Sequence, residues 1–467
     1  MARPVSIGGA SPGRDSARPL LLHEIHGPLP INESPPNMLV QGDNLHLLQL
    51  LRTGPLRKQL DVLGGIKLVY LDPPFAVGAN FYAEGANGLK ALAYSDMWES
   101  GLKGYLGMMR KRLELAHELM ARDGCLFLHC DSRVSHHLRL MLDDIFGAQR
   151  FLGEIIWHYT GGGRAKRWFS RKHDSIFHYA RSDVWTFDPD AVRVPYKESS
   201  GYAKSGIVSA RGKRYLPHPL GTPVDDVWDI PMVNPMAAER CGYPTQKPLA
   251  LLERIVAACS RPGDLVADFF CGSGTLALAA SRLGRCWLCA DKSPLAIHSA
   301  VARLAAEPKA PAFALASPAL PKGRARPAAP VNPAFAPFAQ APVFTAHMQS
   351  GPLQYSFCPS MTRTEKGALC RISLDAFEIT LLDALPADAR LPASGLEWLF
   401  SWSLARPLEP ERVFAPFYAD AASRAVFWHA RRCQKRGIVL CTPELPCAGR
   451  LFVTVVDIFG NSATFTV

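Results

Sequence analysis

Residues 67–75, Lys-Leu-Val-Tyr-Leu-Asp-Pro-Pro-Phe, constrain the fold more than any other stretch. The apolar run before Asp72 has the length and composition of a strand buried in a parallel sheet. Pro73 and Pro74 fix two successive φ angles and remove two backbone donors, so the carbonyl oxygens of this turn are expected to be free acceptors. The sequence therefore predicts a buried strand that presents Asp72 at an edge of the sheet.

Other apolar runs repeat this pattern along the chain. Residues 38–44 and 125–131 each end at a polar residue, and residues 264–270 carry Asp268 near their end; helical periodicity follows each of these runs. Strands that alternate with helices indicate an α/β fold with a doubly wound parallel sheet, in which ligands bind at the carboxyl ends of the strands.

A glycine turn, Phe-Cys-Gly-Ser-Gly-Thr at residues 270–275, follows one of these strands. Glycines at such a turn let backbone amides approach a ligand at the start of a helix. With Ala277 the spacing also fits G-x-G-x-x-A, and Asp291 lies at a distance suited to a ribose hydroxyl. This turn alone does not separate a nicotinamide cofactor from S-adenosyl-L-methionine.

The chain is basic, with 52 Lys and Arg against 41 Asp and Glu. A nucleic-acid partner would use such charge to neutralise phosphates, with aromatic side chains stacking on bases. Basic residues and rings are dense between about residues 161 and 243, where an irregular solvated insert is the alternative. The candidate DNA-binding residues are Arg164, Lys166, Arg167, Arg171, Lys172, Arg211, Lys213 and Arg214.

Composition predicts four regions. Residues 1–36 are expected to be an N-terminal arm over the surface, 37–306 a catalytic domain, 307–343 a linker rich in Pro and Ala, and 344–467 a β-rich accessory domain. The 12 cysteines are interpreted as buried free thiols in a reducing compartment. The pair Cys286 and Cys289 lacks a partner pair at zinc spacing, so no metal is predicted.

The order of the two motifs identifies a resemblance. An Asp-Pro-Pro-Phe turn that precedes a Phe-x-Gly-x-Gly turn resembles the DNA amino-methyltransferases of the beta arrangement, and the likeness covers roughly residues 38–305. It implies a Rossmann-like sheet that binds S-adenosyl-L-methionine, with an inserted segment for target recognition in double-stranded DNA. Leu276 departs from the family, in which many members have another Thr.

The resemblance also implies roles for individual residues. The catalytic residues would be Asp72, Pro73, Pro74 and Phe75. Lys247 would lie near the cofactor carboxylate and Asp291 at the ribose hydroxyls. The full set of implied cofactor-binding residues is Asp43, Lys247, Asp268, Phe270, Gly272, Gly274 and Asp291.

The chemistry of Asp72 can be derived without the family. The lone pair of an exocyclic amine is delocalised into the base, so the amine is a poor nucleophile. If Asp72 and the Pro73 carbonyl each accept one amino hydrogen, the lone pair is freed to attack a methyl group. The base must first be flipped out of the duplex, where Phe75 could stack on it. In this family an Asp at the first position favours adenine N6 over cytosine N4.

Several alternatives stay open at this point. The protein could be a solitary or type II methylase, or a type III modification subunit with a nuclease partner, because residues 456–461 resemble an element of that group. Homodimerisation is a further expectation. A non-catalytic DNA-binding protein and a dehydrogenase are the competing classes. Without a bilayer-length apolar run, the sequence predicts no membrane association and a location in the prokaryotic cytosol or nucleoid.

Overall fold

The structure is a computed structural model of the 467-residue chain. It describes 20–27, 37–54, 56–84, 90–161, 164–197, 199–309 and 311–318, and in the C-terminal part 343–348, 351–366, 369–381, 399–407, 417–418, 424–431, 440–443, 445–446, 451–457 and 462–466.

The helices of the described residues all lie before residue 306. They are α1 (Asn44–Thr53), α2 (Leu56–Val62), α3 (Gly101–Leu119), α4 (Ser135–Phe146), α5 (Gly201–Ser205), α6 (Leu249–Cys259), α7 (Thr275–Arg282) and α8 (Pro294–Ala305). No helix in the described part of the chain is long and apolar enough to span a bilayer.

Strands alternate with these helices. Those before residue 319 are β1 (Leu20–His26), β2 (Met38–Gln41), β3 (Ile66–Leu71), β4 (Asn80–Glu84), β5 (Lys90–Ser95), β6 (Met120–Cys130), β7 (Phe151–His158), β8 (His173–Ala180), β9 (Ile207–Val208), β10 (Arg214–Tyr215), β11 (Val227–Asp229), β12 (Leu265–Asp268), β13 (Cys286–Asp291) and β14 (Phe313–Pro318).

The C-terminal part is rich in strands, as the sequence predicted. They are β15 (Val343–Met348), β16 (Gly351–Lys366), β17 (Leu369–Leu381), β18 (Leu399–Pro407), β19 (Phe417–Tyr418), β20 (Arg424–Arg431), β21 (Leu445–Pro446), β22 (Phe452–Asp457) and β23 (Ser462–Thr466). Residues 458–461, the end of the element resembling type III subunits, lie outside the described residues.

The main sheet has the order β11-β7-β8-β6-β3-β12-β13-β2-β14-β1-β20-β18-β22-β23. Its central strands, from β6 to β14 in this order, are parallel to one another, and antiparallel strands flank them on both sides. This arrangement confirms the predicted α/β sheet. A smaller sheet joins the hairpin β4–β5 to the C-terminal strands β15, β16, β17 and β21.

Helices cover both faces of the main sheet. Helices α1, α3 and α4 contribute Leu47, Met109 and Leu138 to one buried cluster, whereas α6 and α7 contribute Ile255 and Ala277 to another. Central parallel strands are therefore buried on both faces, which explains why their sequences are continuously apolar rather than alternating. The predicted doubly wound architecture is confirmed.

Two boundaries differ from the sequence predictions. Leu20–His26 lies in the predicted surface arm, but it forms the buried strand β1, paired antiparallel with β14. Phe313–Pro318 lies in the predicted linker, but it forms β14, whose residues 313–316 are buried. The Pro-rich sequence around both strands led to the prediction of irregular structure. A short apolar run forms a stable strand only when a neighbouring strand pairs with it, and the sequence does not show that neighbour. The remainder of both segments, 1–19, 28–36 and 319–342, lies outside the described residues.

Candidate functional site

Strand register brings the two sequence motifs together. Strands β3 and β12 are parallel neighbours, and Val69 pairs with Ala267. Asp72 and Phe270 follow these partners by the same number of residues, so they leave the sheet side by side. A cavity of about 1000 Å3 lies at this edge, and both motifs line it.

Asp72 lies at the wall of this cavity, with a side chain that is 17% exposed. Its Oδ2 atom forms an ion pair with Lys247 Nζ. Its Oδ1 atom is buried and makes no hydrogen bond among the described residues. A carboxylate held at one oxygen by a lysine thus keeps its other oxygen available to a donor.

The turn after Asp72 is fixed from behind by Asp96, whose side chain is buried. Asp96 accepts hydrogen bonds from the backbone N–H groups of Ala76 at 3.1 Å and Val77 at 2.7 Å. It also accepts one from Trp98 Nε1 at 2.7 Å. Ala76 has a φ of 53°, an uncommon backbone conformation for a residue with a side chain, and these bonds support it.

His129 lies behind Asp72 and Phe75 and is fully buried. Its Nδ1 lies 2.8 Å from Tyr70 Oη, and its Nε2 lies 3.3 Å from the Asp174 carboxylate. The Phe75 ring stacks on the imidazole with centroids 5.9 Å apart. His129 therefore supports both the Asp72 carboxylate and the Phe75 ring.

The pKa values of the groups around His129 indicate which of them are charged. Burial raises the pKa of Tyr70 well above its usual value, so its hydroxyl stays protonated. Burial alone would raise the pKa of Asp174, but the hydrogen bond and charge of His129 outweigh it, and the net pKa is lowered. Tyr159 Oη also donates to Asp174, at 3.2 Å. An ionised Asp174 thus fixes the imidazole ring.

Asp43, which also lines the cavity, caps the start of α1. It accepts a hydrogen bond from Leu45 N at 2.9 Å and pairs with Arg112 of α3 at 2.6 Å. Although burial alone would raise it, the pKa of Asp43 is lowered because these donors favour the charged form. Arg112 also donates to Asn44. Sequence reasoning did not find Arg112, because its helical position resembles that of any core-facing residue.

Asp291, at the end of β13, holds the glycine turn. Its Oδ2 accepts a hydrogen bond from Gly272 N at 2.8 Å, and its Oδ1 accepts one from Ser293 N at 2.8 Å. Burial raises the pKa of Asp291 and raises that of Asp268 well above the usual range. The charges of Asp72 and Asp291 raise the pKa of Asp268 further. A cationic ligand beside Asp268 and Asp291 would oppose this effect and favour their charged forms.

Position 274 requires glycine for two reasons: its backbone conformation and the absence of space for a side chain. It caps α7 in the left-handed region, with a φ of 74°. A Cβ atom there would lie 2.7 Å from the Cβ of Ala300 on α8. Thr275, the next residue, is buried and receives a 2.9 Å hydrogen bond from Arg303. The turn is thus fixed against α8.

Replacing Gly274 by alanine is expected to lower the free energy of unfolding by about 1–3 kcal/mol, because both the φ angle and the contact with Ala300 oppose a side chain. Chemical denaturation monitored by circular dichroism measures the change. Gly107→Ala is the matched control, since a Cβ there meets no atom within 4 Å and helix propensity favours alanine. Equal destabilisation of the two variants would contradict the packing argument.

The candidate DNA-binding residues form two groups. Arg164, Lys166, Arg167 and Arg171 are exposed on the loop between β7 and β8, and Arg171 also lines the cavity. Lys172, at the base of this loop, is partly buried and donates to Gly161 O. Arg211, Lys213 and Arg214 are exposed on the separate hairpin β9–β10 and do not belong to the cavity wall.

The predicted catalytic and cofactor residues mostly converge. All of them except Gly274 line the same cavity: Asp43, Asp72, Pro73, Pro74, Phe75, Lys247, Asp268, Phe270, Gly272 and Asp291. Gly274 lies between Ser273 and Thr275, which also line it. The functional neighbours that sequence reasoning missed are Asp96, Arg112 and His129. His129 had a usable signal, because it lies one residue before the carboxyl end of β6, a strand adjacent to β3.

Comparisons with known proteins identify the family of this chain. A family model described as DNA methylase matches residues 66–302. The type II methyltransferase M.EcaI of Enterobacter cloacae is 29% identical over 297 residues, which cover 51% of this chain and 64% of that protein. The chain thus spans less than two thirds of that relative.

A second relative is the DNA adenine methyltransferase YhdJ of Escherichia coli K12. It is 28% identical over 222 residues, which cover 47% of this chain and 69% of the relative. Among solved structures, the complex of M1.HpyAVI with SAM is 18% identical, covers 57% of this chain and 98% of that one, and aligns with a TM-score of 0.37.

Proposed function

The chain belongs to the DNA methylase family, whose model spans residues 66–302, and from this premise we propose that it methylates adenine N6 in DNA with S-adenosyl-L-methionine. The observation that carries the proposal is the position of Asp72. Asp72 lines the same cavity as the glycine turn, and its Oδ1 makes no hydrogen bond among the described residues.

The cavity fits S-adenosyl-L-methionine, which when bound supplies an electrophilic methyl group on a positively charged sulfonium. Gly272 and Phe270 line the cavity beside Asp43, Asp268 and Asp291. Carboxyl groups in this number suit a ligand that carries a sulfonium and an ammonium group. We propose that Asp291 and Asp43 hold its ribose and methionine parts and that Gly272 and Gly274 allow close approach.

The acceptor base is proposed to enter between Phe75 and the Asp72 carboxylate. Asp72 Oδ1 accepts one hydrogen of the amino group, and the Pro73 carbonyl accepts the other. The nitrogen would then become tetrahedral, with its lone pair free to accept the methyl group. The bond from that methyl to the sulfonium sulfur would break, S-adenosyl-L-homocysteine would be the leaving group, and one proton would pass from the nitrogen to solvent. Asp72 serves here as a positioned acceptor, so the reaction does not require a strong base.

Adenine is proposed over cytosine because Asp occupies the first position of the Asp-Pro-Pro-Phe turn and because the relative YhdJ is named an adenine methyltransferase. The test is incubation of the purified chain with unmethylated genomic DNA and S-adenosyl-L-methionine, followed by mass spectrometry of the nucleosides. N6-methyladenine is expected. N4-methylcytosine would contradict the base assignment, and cofactor binding without any methylated nucleoside would favour a non-catalytic DNA-binding protein.

Binding of double-stranded DNA is proposed to involve the β7–β8 loop, which lies beside the cavity. This loop carries Arg164, Lys166, Arg167 and Arg171, and the neighbouring Phe169 is 99% exposed. Cations can neutralise phosphates while an exposed ring occupies the place of a flipped base. The hairpin residues Arg211, Lys213 and Arg214 are proposed to contact DNA farther from the target.

Replacing Phe169 by alanine is expected to slow methylation of fully paired DNA about 10-fold, because a stacking contact with a base is lost. A duplex whose target adenine faces an abasic site should be affected far less, since the base is already unpaired. The measurement is initial rate on both duplexes. Phe187→Ala is the control, because Phe187 is 51% exposed and lies near Asp123, on the opposite edge of the sheet.

The remaining partners stay predictions. Relatives include the modification subunit of a type III restriction enzyme from Haemophilus influenzae, matched over 27% of this chain. A nuclease subunit would be detected by co-purification from the source cells. Homodimerisation would be measured by sedimentation of the purified chain, and the target-recognition role of residues 161–243 by exchanging this segment between relatives.

A further inference from the structure

Three side chains capable of binding a metal converge far from the methylation site. They are Cys125 on β6, His178 on β8 and Cys259 at the end of α6, and their ligand atoms all lie within 4.8 Å of one another. No other such group occurs among the described residues. Cys259 Sγ lies 4.0 Å from His178 Nε2.

Strand pairing places two of these residues on one face. In the antiparallel pair β6–β8, Cys125 is opposite Ala180 and Phe127 is opposite His178. Cys125 and His178 are therefore diagonal neighbours on the same face of the sheet. Helix α6 packs on this face, because Cys125 and Ile255 belong to the same buried cluster. Cys259, the third residue of the group, thus reaches this face from helix α6.

Burial at this site is nearly complete. Cys125 and Cys259 have no exposed surface, and His178 is 8% exposed. The His178 ring stacks on Phe127 with centroids 4.2 Å apart, and its nitrogen faces a cysteine sulfur. A polar imidazole in an apolar layer needs a partner for its ring nitrogen. A thiol 4.0 Å away is a weak one.

We propose that Cys125, His178 and Cys259 bind one zinc ion. Two thiolates and one imidazole match the soft ligands that zinc prefers, and two thiolate charges balance the charge of the ion, so that the buried site is neutral. Zinc–ligand bonds of roughly 2.0–2.3 Å place tetrahedral ligands roughly 3.5–3.8 Å apart. The atoms of the trio therefore need to move inward only slightly.

Binding releases the two thiol protons to solvent, and no bond other than the metal–ligand bonds forms. The carbonyl oxygen of Thr186 lies 3.9 Å from Cys125 Sγ and is the proposed fourth donor. The ion would tie the carboxyl end of α6 to β6 and β8. These strands carry His129 and Asp174, so the zinc would stabilise the framework that supports Asp72.

The test is metal analysis of the full chain, purified without a histidine tag, loaded with zinc and passed over a weak chelating resin. Inductively coupled plasma mass spectrometry is expected to find about one zinc ion per chain. Cys125→Ser and Cys259→Ser should each retain less than about a tenth of this amount. Cys130→Ser is the matched control, because Cys130 is buried on the same strand but lies outside the trio, and it should retain the metal.

A wild-type chain without zinc above background would overturn the proposal, as would unchanged zinc in both serine variants. A disulfide between Cys125 and Cys259 in protein purified without oxygen would also overturn it. If the serine variants fail to fold, the wild-type chain is titrated with cobalt(II) and its visible absorption spectrum tests the site. Intense visible bands with a thiolate charge-transfer band are expected, whereas the weak spectrum of octahedral cobalt would refute the site. Neither readout depends on methylation.

Discussion

Asp72→Asn is expected to reduce the rate of methylation at least about 1000-fold while leaving S-adenosyl-L-methionine binding nearly unchanged. Asparagine keeps the shape of the side chain, but it is neutral and one of its two polar groups is a donor, whereas the amino group of the base needs a charged acceptor. The partner Lys247, which is 11% exposed, would also lose its counter-charge. Both effects act on the step that frees the lone pair of the amine.

Single-turnover kinetics on a duplex with a single target measures this loss, and calorimetry measures cofactor affinity. Asp144→Asn is the matched control, since Asp144 is an exposed carboxylate of α4 that pairs with Arg110 at 2.7 Å. It should methylate at the wild-type rate. An Asp72→Asn enzyme that retains more than about a tenth of the wild-type rate would exclude Asp72 as the principal acceptor.

Lys247→Met is expected to produce the second largest loss, about 100-fold in kcat. The family resemblance implies that Lys247 binds the cofactor carboxylate, but in the structure its ammonium group pairs with Asp72 Oδ2. The lysine also lies 5.7 Å from the centre of the Phe75 ring. From these contacts we infer that Lys247 positions the carboxylate so that Oδ1 faces the base.

The two roles of Lys247 predict different kinetics. A positioning role predicts a fall in kcat with little change in the dissociation constant of S-adenosyl-L-methionine, whereas a carboxylate contact predicts a weaker cofactor complex with kcat preserved at saturation. Lys247→Arg should recover part of kcat, because a cation remains beside Asp72. A Lys247→Met variant with normal kcat and weakened cofactor binding would refute the positioning role.

The residues that carry local chemistry could be predicted from the sequence. Pro73 and Pro74 produce a rigid turn wherever they occur, because proline fixes its own φ angle. Gly272 and Gly274 adopt positive φ angles in the structure, as a glycine turn between strand and helix requires. Their order along the chain was enough to identify the family and the cofactor.

The boundaries of the N-terminal arm and the linker could not be predicted in the same way. Leu20–His26 and Phe313–Pro318 are short apolar runs between Pro-rich stretches, and each becomes a strand by pairing with the other. A strand of this length has little stability alone, because backbone hydrogen bonds and burial come from the neighbour. Composition averaged over the whole segment therefore gave the wrong structure at these two places.

The sequence by itself determined the parts of the site: an acceptor carboxylate on a rigid turn, a ring beside it, and a glycine turn for a cofactor. Only the tertiary structure decided how they act together. Asp72 and Lys247 lie 175 positions apart in the chain, and they meet because helix α6, which begins two residues after Lys247, packs against β3. The glycine turn and His129 lie beside Asp72 because β12 and β6 are the two neighbours of β3 in the sheet. Local motifs are set by the torsional preferences of contiguous residues, whereas such contacts depend on strand order, which is set by the burial of the whole sheet between two layers of helices.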